Sequence, residues 1–265
     1  MSHSARRRAR ILAMVVTFLA PIALPRPACA QELIGFEIME WKQELSGTQR
    51  VDGDLSNGTE TDLQDDLGLD PDDTLTQGRI WLHLPQKHYI LYTFYDSKRT
   101  GEALLTSPLV FADALFAPGD TVKTKVELDQ DSLLYRYEFI QSPTFRFGIP
   151  LGAQRFTVRS EVESSLTGIQ RDASGGGTFP VIGASFSFTP FPWLAFSAEA
   201  LGMNLALSGN DYRFYDARGQ AEIHFAPLVG LVLGYRQSVN DSTLEDFGVV
   251  DFQTNGPFAT LLLAF

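Results

Sequence analysis

The chain has 265 residues, with 21 Lys and Arg against 32 Asp and Glu, a formal net charge of −11 and one cysteine. An acidic balance of this size repels nucleic acid and other phosphate-rich partners, so no nucleic-acid partner is expected. Past residue 30 no uninterrupted apolar run approaches the ~18 residues of a spanning helix, which excludes a helical membrane protein.

The first thirty residues form a segment of their own. Arg6, Arg7, Arg8 and Arg10 make a basic stretch, 11–24 is a short apolar core, and Ala28-Cys29-Ala30 fits a small-residue cleavage site. Fewer than ~17 apolar residues, broken by Pro21, are too short to cross a bilayer. Residues 1–30 are therefore read as a cleaved secretory signal peptide, and 31–265 as a single domain whose mature chain starts at Gln31. A lipidated Cys29 is the alternative, disfavoured by Arg26 and Pro27 just before it. Cleavage removes five arginines and no acid, leaving 16 basic against 32 acidic residues. It also removes the only cysteine, and with it disulfide and thiol chemistry.

Beyond Gln31, aromatic-rich segments of period two alternate with Gly-, Asp- and Ser-rich ones, the pattern of antiparallel strands and their connections. Ten strands are predicted. The first, 34–45, sets Met39 and Trp41 against Glu40, Lys42 and Glu44, the charged set being read as inward. A long acidic loop follows. The second, 77–84, sets Ile80, Leu82 and Leu84 outward against Arg79, Trp81 and His83, and Pro85-Gln86-Lys87 turns into the third, 88–97. The fourth, 132–140, sets Leu133, Tyr135, Tyr137 and Phe139 against Arg136 and Glu138. The fifth, 145–159, carries Arg146 inward and feeds a Gly-rich loop, 172–177, read as mobile.

A sixth strand begins at Val181, alternating Ile182, Ala184, Phe186 and Phe188 with Gly183, Ser185 and Ser187. The turn 189–193 leads to the seventh, where Leu194, Phe196, Ala198 and Ala200 oppose Ser197 and Glu199. The eighth, 217–225, alternates Ala217, Gly219, Ala221, Ile223 and Phe225 with Arg218, Gln220, Glu222 and His224, and Pro227 ends it. The ninth, 231–239, places Arg236 inward. The last, 257–265, has no face suited to water: Ala259, Leu261, Leu263 and Phe265 oppose Phe258, Thr260, Leu262 and Ala264. A count of twelve is the alternative, with 105–116, 121–128 and 132–140 as separate strands. On the ten-strand reading, the polar face of Lys123, Lys125, Glu127 and Asp129 is taken to change parity with the outward Leu133, Tyr135 and Tyr137, which implies a bulge in a long projecting strand.

Short connections at 85–87, 142–144, 189–193 and 226–228 alternate with mostly long ones, and aromatic residues cluster near the short ones. With the terminal Phe265, this pattern resembles the bacterial outer-membrane β-barrel proteins, whose last strand ends in such an assembly signal. The run Asp62-Leu63, then Asp66-Leu67-Gly68-Leu69, also resembles a motif of uncharacterised proteobacterial barrels. The resemblance implies an all-β, closed antiparallel up-and-down transmembrane barrel with short periplasmic turns and long external loops. It implies the outer membrane as location, outer-membrane lipids as surroundings, and the barrel assembly machinery as partner of the C-terminal strand.

The expected lumen charges are Glu40, Glu44, Arg79, Arg136, Glu138, Arg146, Glu199, Arg218, Glu222 and Arg236. A ten-strand interior is narrow, so these residues fill it with ion pairs or line a thin polar, porin-like pore. A non-enzymatic envelope barrel is the leading reading. The alternatives are a barrel that binds an unknown surface ligand through its external loops, with 109–116 as the best segment, and a lipid A-modifying hydrolase. His83, His88 and His224 all fall at the short-turn end, and no serine is expected beside His224 and Glu222, so no catalytic site is predicted. No cofactor is expected. Asp62, Asp66, Asp70 and Asp72 are the weak candidates for a metal site, but the spacing fails the calcium-loop pattern. Thr61 to Gln64 resembles a capping box, which predicts a helical turn at 62–67 whose Leu63 and Leu67 dock on the barrel mouth.

Overall fold

Strands continue beyond the aromatic-rich segments that announce them. The computed structural model describes residues 33–207, 210–226, 228–245 and 247–265. The expected signal peptide with its Cys29, and Pro227 as a strand stop, lie outside the described residues. The strands are β1 (Ile34–Val51), β2 (Glu60–Asp62), β3 (Asp72–Leu84), β4 (His88–Leu104), β5 (Leu109–Phe111), β6 (Ala114–Phe116), β7 (Thr121–Gln141), β8 (Phe145–Ser164), β9 (Gln170–Phe191), β10 (Leu194–Leu207), β11 (Asn210–Ala226), β12 (Val229–Leu244) and β13 (Gly248–Ala264).

Ten of them form the wall. β1, β3, β4, β7, β8, β9, β10, β11, β12 and β13 pair antiparallel in that order, and β13 returns to β1, closing the barrel. Closure runs through Met39 opposite Thr260 and Trp41 opposite Phe258. It leaves neither the first nor the last strand as an edge, which long strands otherwise require to be covered. The expected ten-strand, all-β, up-and-down architecture is what forms. The twelve-strand count fails because 121–141 is one continuous strand, while 109–111 and 114–116 form a small separate hairpin. Two short strand-to-strand connections, 85–87 and 142–144, have the bounds expected; 189–193 shrinks because β9 reaches Phe191 and β10 starts at Leu194. The short connections and both ends of the barrel wall lie at one end, here the turn end; the long connections make the loop end.

The Gly-rich stretch 172–177 is not a loop. It lies inside β9, paired residue by residue with β8, for example Gly176 opposite Thr157.

Two polarity patterns succeed each other along the wall. Near the turn end the outward positions are apolar, including Leu82, Leu133, Leu151, Ile182, Phe186, Leu233 and Leu261, all exposed, and the inward ones are charged. Toward the loop end the outward positions are polar and the inward ones pack into an apolar core. That core holds Leu45, Val51, Val122, Val126, Phe156, Val158, Val162, Phe179, Phe214, Leu244, Val250 and Phe252.

This reversal corrects two expectations. On β1 the inward residues are Met39, Trp41, Gln43 and Leu45, all buried, while Glu40, Lys42 and Glu44 point out and are exposed. Glu40 and Glu44 are therefore not lumen charges: β1 leaves the apolar band after Ile38, and from there the water-facing side is the outside. On β7, Lys123, Lys125, Glu127 and Asp129 share the outward face with Leu133 and Tyr135, whereas Val122, Thr124 and Val126 are buried inside. No bulge separates the two halves; the register shift on this strand lies between Glu138 and Ile140. In the segment 109–116, Leu109, Phe111 and Phe116 are buried in the core at 2% exposure each, as burial against neighbouring loops requires, while Leu115 stays exposed.

Candidate functional site

The lumen has three layers. Nearest the turn end, charged residues meet across the barrel. Arg79 Nη2 donates to Glu199 Oε1 at 2.8 Å, and Arg218 reaches the same carboxylate at 3.4 Å and Glu37 at 3.8 Å. Arg136 lies 3.7 Å from Glu138 and stacks over the Tyr89 ring at 4.5 Å. Of the ten predicted lumen charges, these contacts bring together Arg79, Arg136, Glu138, Glu199 and Arg218. Arg146 also occupies the inward face of β8, as expected. Isolated charges in a narrow low-dielectric interior would cost several kcal/mol each; shared carboxylates offset that cost.

Glu222 and His224 sit closer to the opening, 3.9 Å apart. A serine does adjoin them, contrary to expectation: Ser197 Oγ donates to Glu222 Oε1 at 2.7 Å. The order is wrong for nucleophile activation, because the carboxylate stands between the hydroxyl and the imidazole, whereas a base must take the serine proton directly.

The middle layer is centred on Arg236, which pairs with Asp216 at 2.7 Å and lies over the Trp41 ring at 4.5 Å. Gln77, Gln130, Ser132 and Gln154 line a small polar cavity beside this pair. Two charges here were missed from the sequence. Asp216 lies one residue before the predicted start of the eighth strand, on the same face as Arg218, so extending the alternation backward finds it. Glu37 was hidden by the inverted reading of β1.

The third layer is an apolar plug. After β2, residues 63–67 form a helical turn, and Leu63 and Leu67 are fully buried in the core. Asp62 caps the turn, accepting the Gln64 and Asp65 backbone N–H groups at 2.8 and 2.9 Å, while Thr61 instead donates to Gln49 O. The predicted turn and its docking are present, with the cap one residue later than expected. Gly68 ends it with φ +66°, its N–H donating to Gln64 O at 3.0 Å, a left-handed C-terminal cap. A Cβ at Gly68 would lie 2.3 Å from Glu102 O, so only glycine lets the plug approach β4 this closely.

The β5–β6 hairpin adds its apolar face to the plug. Its turn is tied down by Asp113, whose carboxylate accepts Leu55 N–H and Ser56 Oγ. Burial tends to raise this carboxyl, but the Ser56 hydroxyl and the Leu55, Asp54 and Ser56 backbone N–H groups outweigh it and hold it below the ordinary carboxylate range.

Three of the four weak metal candidates hold backbone N–H groups with their carboxylates. Asp62 and Asp66 bond backbone N–H groups inside the helical turn, and Asp70 accepts the Asp72 N–H. Among the described residues no group of three metal-ligating side chains converges. Arg99 donates to the Asp70 and Pro71 carbonyls at 2.7 Å. Burial lowers the Arg99 guanidinium from its usual value, and Asp73, Asp70 and Asp72 pull it back up.

His83, His88 and His224 all lie at the turn end, His83 stacked on Tyr89 and His88 against Tyr135. Among the described residues, none of the histidines is at the loop end.

No protein-family model and no curated protein sequence matches the chain. Solved structures do. The outer-membrane protease OmpT from Escherichia coli superposes with a TM-score of 0.58 at 11% identity, covering 90% of this chain and 99% of that one. The translocator domain of the autotransporter NalP from Neisseria meningitidis gives 0.47 at 11% identity, covering 99% and 96%. Ail, the attachment invasion locus protein of Yersinia pestis, gives 0.38 at 12% identity, covering 88% and 100%. What the first of these shares with this chain is the fold.

Proposed function

We propose that this chain is an integral outer-membrane β-barrel of the bacterial envelope, without catalytic activity, whose lumen is filled by ion pairs and sealed at its external end. The observation that carries the reading is the reversal of polarity on both surfaces of the wall. An apolar outer band over a charged interior, giving way to a polar outside over an apolar interior, fits strands that pass from hydrocarbon into water. Exposed Phe139, Phe191, Trp193 and Phe225 rim the turn end, and Tyr215 and Tyr235 stand higher on the wall, as interfacial aromatics do. The turn end is then periplasmic, residues 1–30 are a cleaved export signal, outer-membrane lipids surround the band, and the C-terminal strand is presented to the assembly machinery.

The sealed lumen favours a closed barrel over a solute pore. Purified protein in planar bilayers is expected to pass no steady ionic current, and the Leu63→Asp/Leu67→Asp double variant to pass a small one; steady current through the unaltered protein would establish the pore reading instead.

OmpT is a protease, and hydrolysis at the external end is the enzymatic alternative. The placement of all described histidines at the periplasmic end weighs against a histidine-assisted hydrolase acting on external peptides or on lipid A. Cells with and without the protein are expected to show the same lipid A acyl pattern, and purified protein is expected to leave fluorogenic peptides intact.

A further inference from the structure

The polar cavity of the middle layer, about 20 Å³ in volume, has room for one water molecule or one monatomic ion. Acceptors on its walls are already engaged. Gln77 Oε1 accepts from Arg236 Nη1, Thr93 Oγ1 from Arg79 Nε at 3.1 Å, and Gln130 Oε1 from the Tyr95 hydroxyl at 2.7 Å. Asp216 Oδ2 takes both Arg236 Nε and Arg236 Nη2. Two donors of lining residues are left over. Gln154 Nε2, on a side chain only 1% exposed, has no hydrogen-bond partner, and neither has the buried Arg218 Nη1, which stands 3.8 Å from Glu37.

The lining is cationic as well. Arg79, Arg218 and Arg236 border the cavity against the single carboxylate of Asp216. Glu199 serves Arg79 and Arg218 with one shared oxygen, and neither Glu199 nor Glu37 lines the cavity. Leu201 and Phe214 complete the wall with apolar surface. A water molecule would satisfy the two donors with its lone pairs, but it would also carry two hydrogens toward a wall whose acceptors are taken. A monatomic anion accepts from both donors, has no hydrogens to place, and offsets part of the buried positive charge.

We propose that this cavity is a binding site for a halide ion such as chloride, held by Gln154 Nε2 and Arg218 Nη1 between the charged layer and the apolar plug. The ion completes the filling of the lumen by uniting donors from β8 and β11, strands that meet only across the barrel. The proposal deepens the filled-lumen reading and rests on it, because a water-filled pore would leave both donors hydrated.

The test is urea unfolding of the protein in lipid vesicles at constant ionic strength, with sodium gluconate replaced stepwise by sodium chloride or sodium bromide. Gluconate is too large for the cavity. The folding constant is expected to rise with halide as 1 + [halide]/Kd, which is ~10-fold when the halide reaches about nine times its Kd. Gln154→Glu puts a carboxylate oxygen where the amide donor stood, and its stability is expected to be insensitive to halide. Crystals of the unaltered protein grown in bromide read the site without any variant, and an anomalous peak within hydrogen-bonding distance of Gln154 Nε2 and Arg218 Nη1 is expected. Equal stability in gluconate and halide, an unchanged halide response in Gln154→Glu, or no bromide peak in the cavity would each overturn the proposal, leaving water as the occupant. Failure of the closed-barrel reading would appear separately, as steady current through the unaltered protein in planar bilayers.

Discussion

Glu40 and Glu199 are the same chemical group in strands of the same barrel, and their surroundings make them opposites. Glu199 is 8% exposed between two arginines, whereas Glu40 is exposed and its carboxylate accepts a hydrogen bond from Thr76. Glu199→Ala removes the carboxylate that buried Arg79 and Arg218 share and is expected to cost about 3–5 kcal/mol in urea unfolding from lipid vesicles. Glu40→Ala is expected to change stability by less than about 0.5 kcal/mol. Equal effects would mean that the faces of β1 are as first read from the sequence. The outward face of the band has its own test. Ile223→Arg and Phe186→Arg each place a cation on the proposed lipid side and are expected to cost about 2–4 kcal/mol near the midplane, less toward the rims. Seven of the ten lumen charges fall on the inward side of strands read correctly, because those strands carry their charges at the level of the apolar band. Glu138 too is inward, beside the bulge. Glu40 and Glu44 fail because they stand above that band.

The plug is the element on which closure depends. Its helical turn is legible locally, since a capping residue, two leucines four apart and a terminal glycine specify it almost alone. What it packs against is not legible: Leu63 and Leu67 meet side chains from strands far away in sequence. Leu67→Ala is expected to cost about 2–5 kcal/mol through the cavity it leaves. Gly68→Ala is expected to cost at least ~1–2 kcal/mol from the left-handed backbone alone, with the clash against Glu102 added to it. Both would appear as faster exchange of amides 63–69 while the wall below keeps its protection. The Gly-rich stretch of β9 is the opposite case. Its composition signals a loop, and a strand forms only because β8 offers it a continuous ladder of partners.

At the scale of the whole molecule, one strand decides whether there is a barrel. β13 pairs with β12 on one side and β1 on the other, so removing 257–265 opens the wall along both ladders. Such a truncation is expected to abolish heat-resistant folding in gel-shift assays, and a truncated chain that still folds would contradict closure through β13. Truncating Phe265 alone is a milder change, expected to slow assembly in cells and leave refolding in detergent intact. The alternation of side chains and the short turns are local properties, so the sequence by itself determined an all-β barrel of antiparallel strands; ten strands instead of twelve followed only from the continuity of β7 and the separate β5–β6 hairpin. Which side of each strand faces water was not local. It depended on where the strand crossed from an apolar outer surface to a polar one, and on the plug that turned the inside apolar at the same level. Only the tertiary structure decided those two things, because the same alternating pattern satisfies either assignment until the neighbours of each side chain are in place.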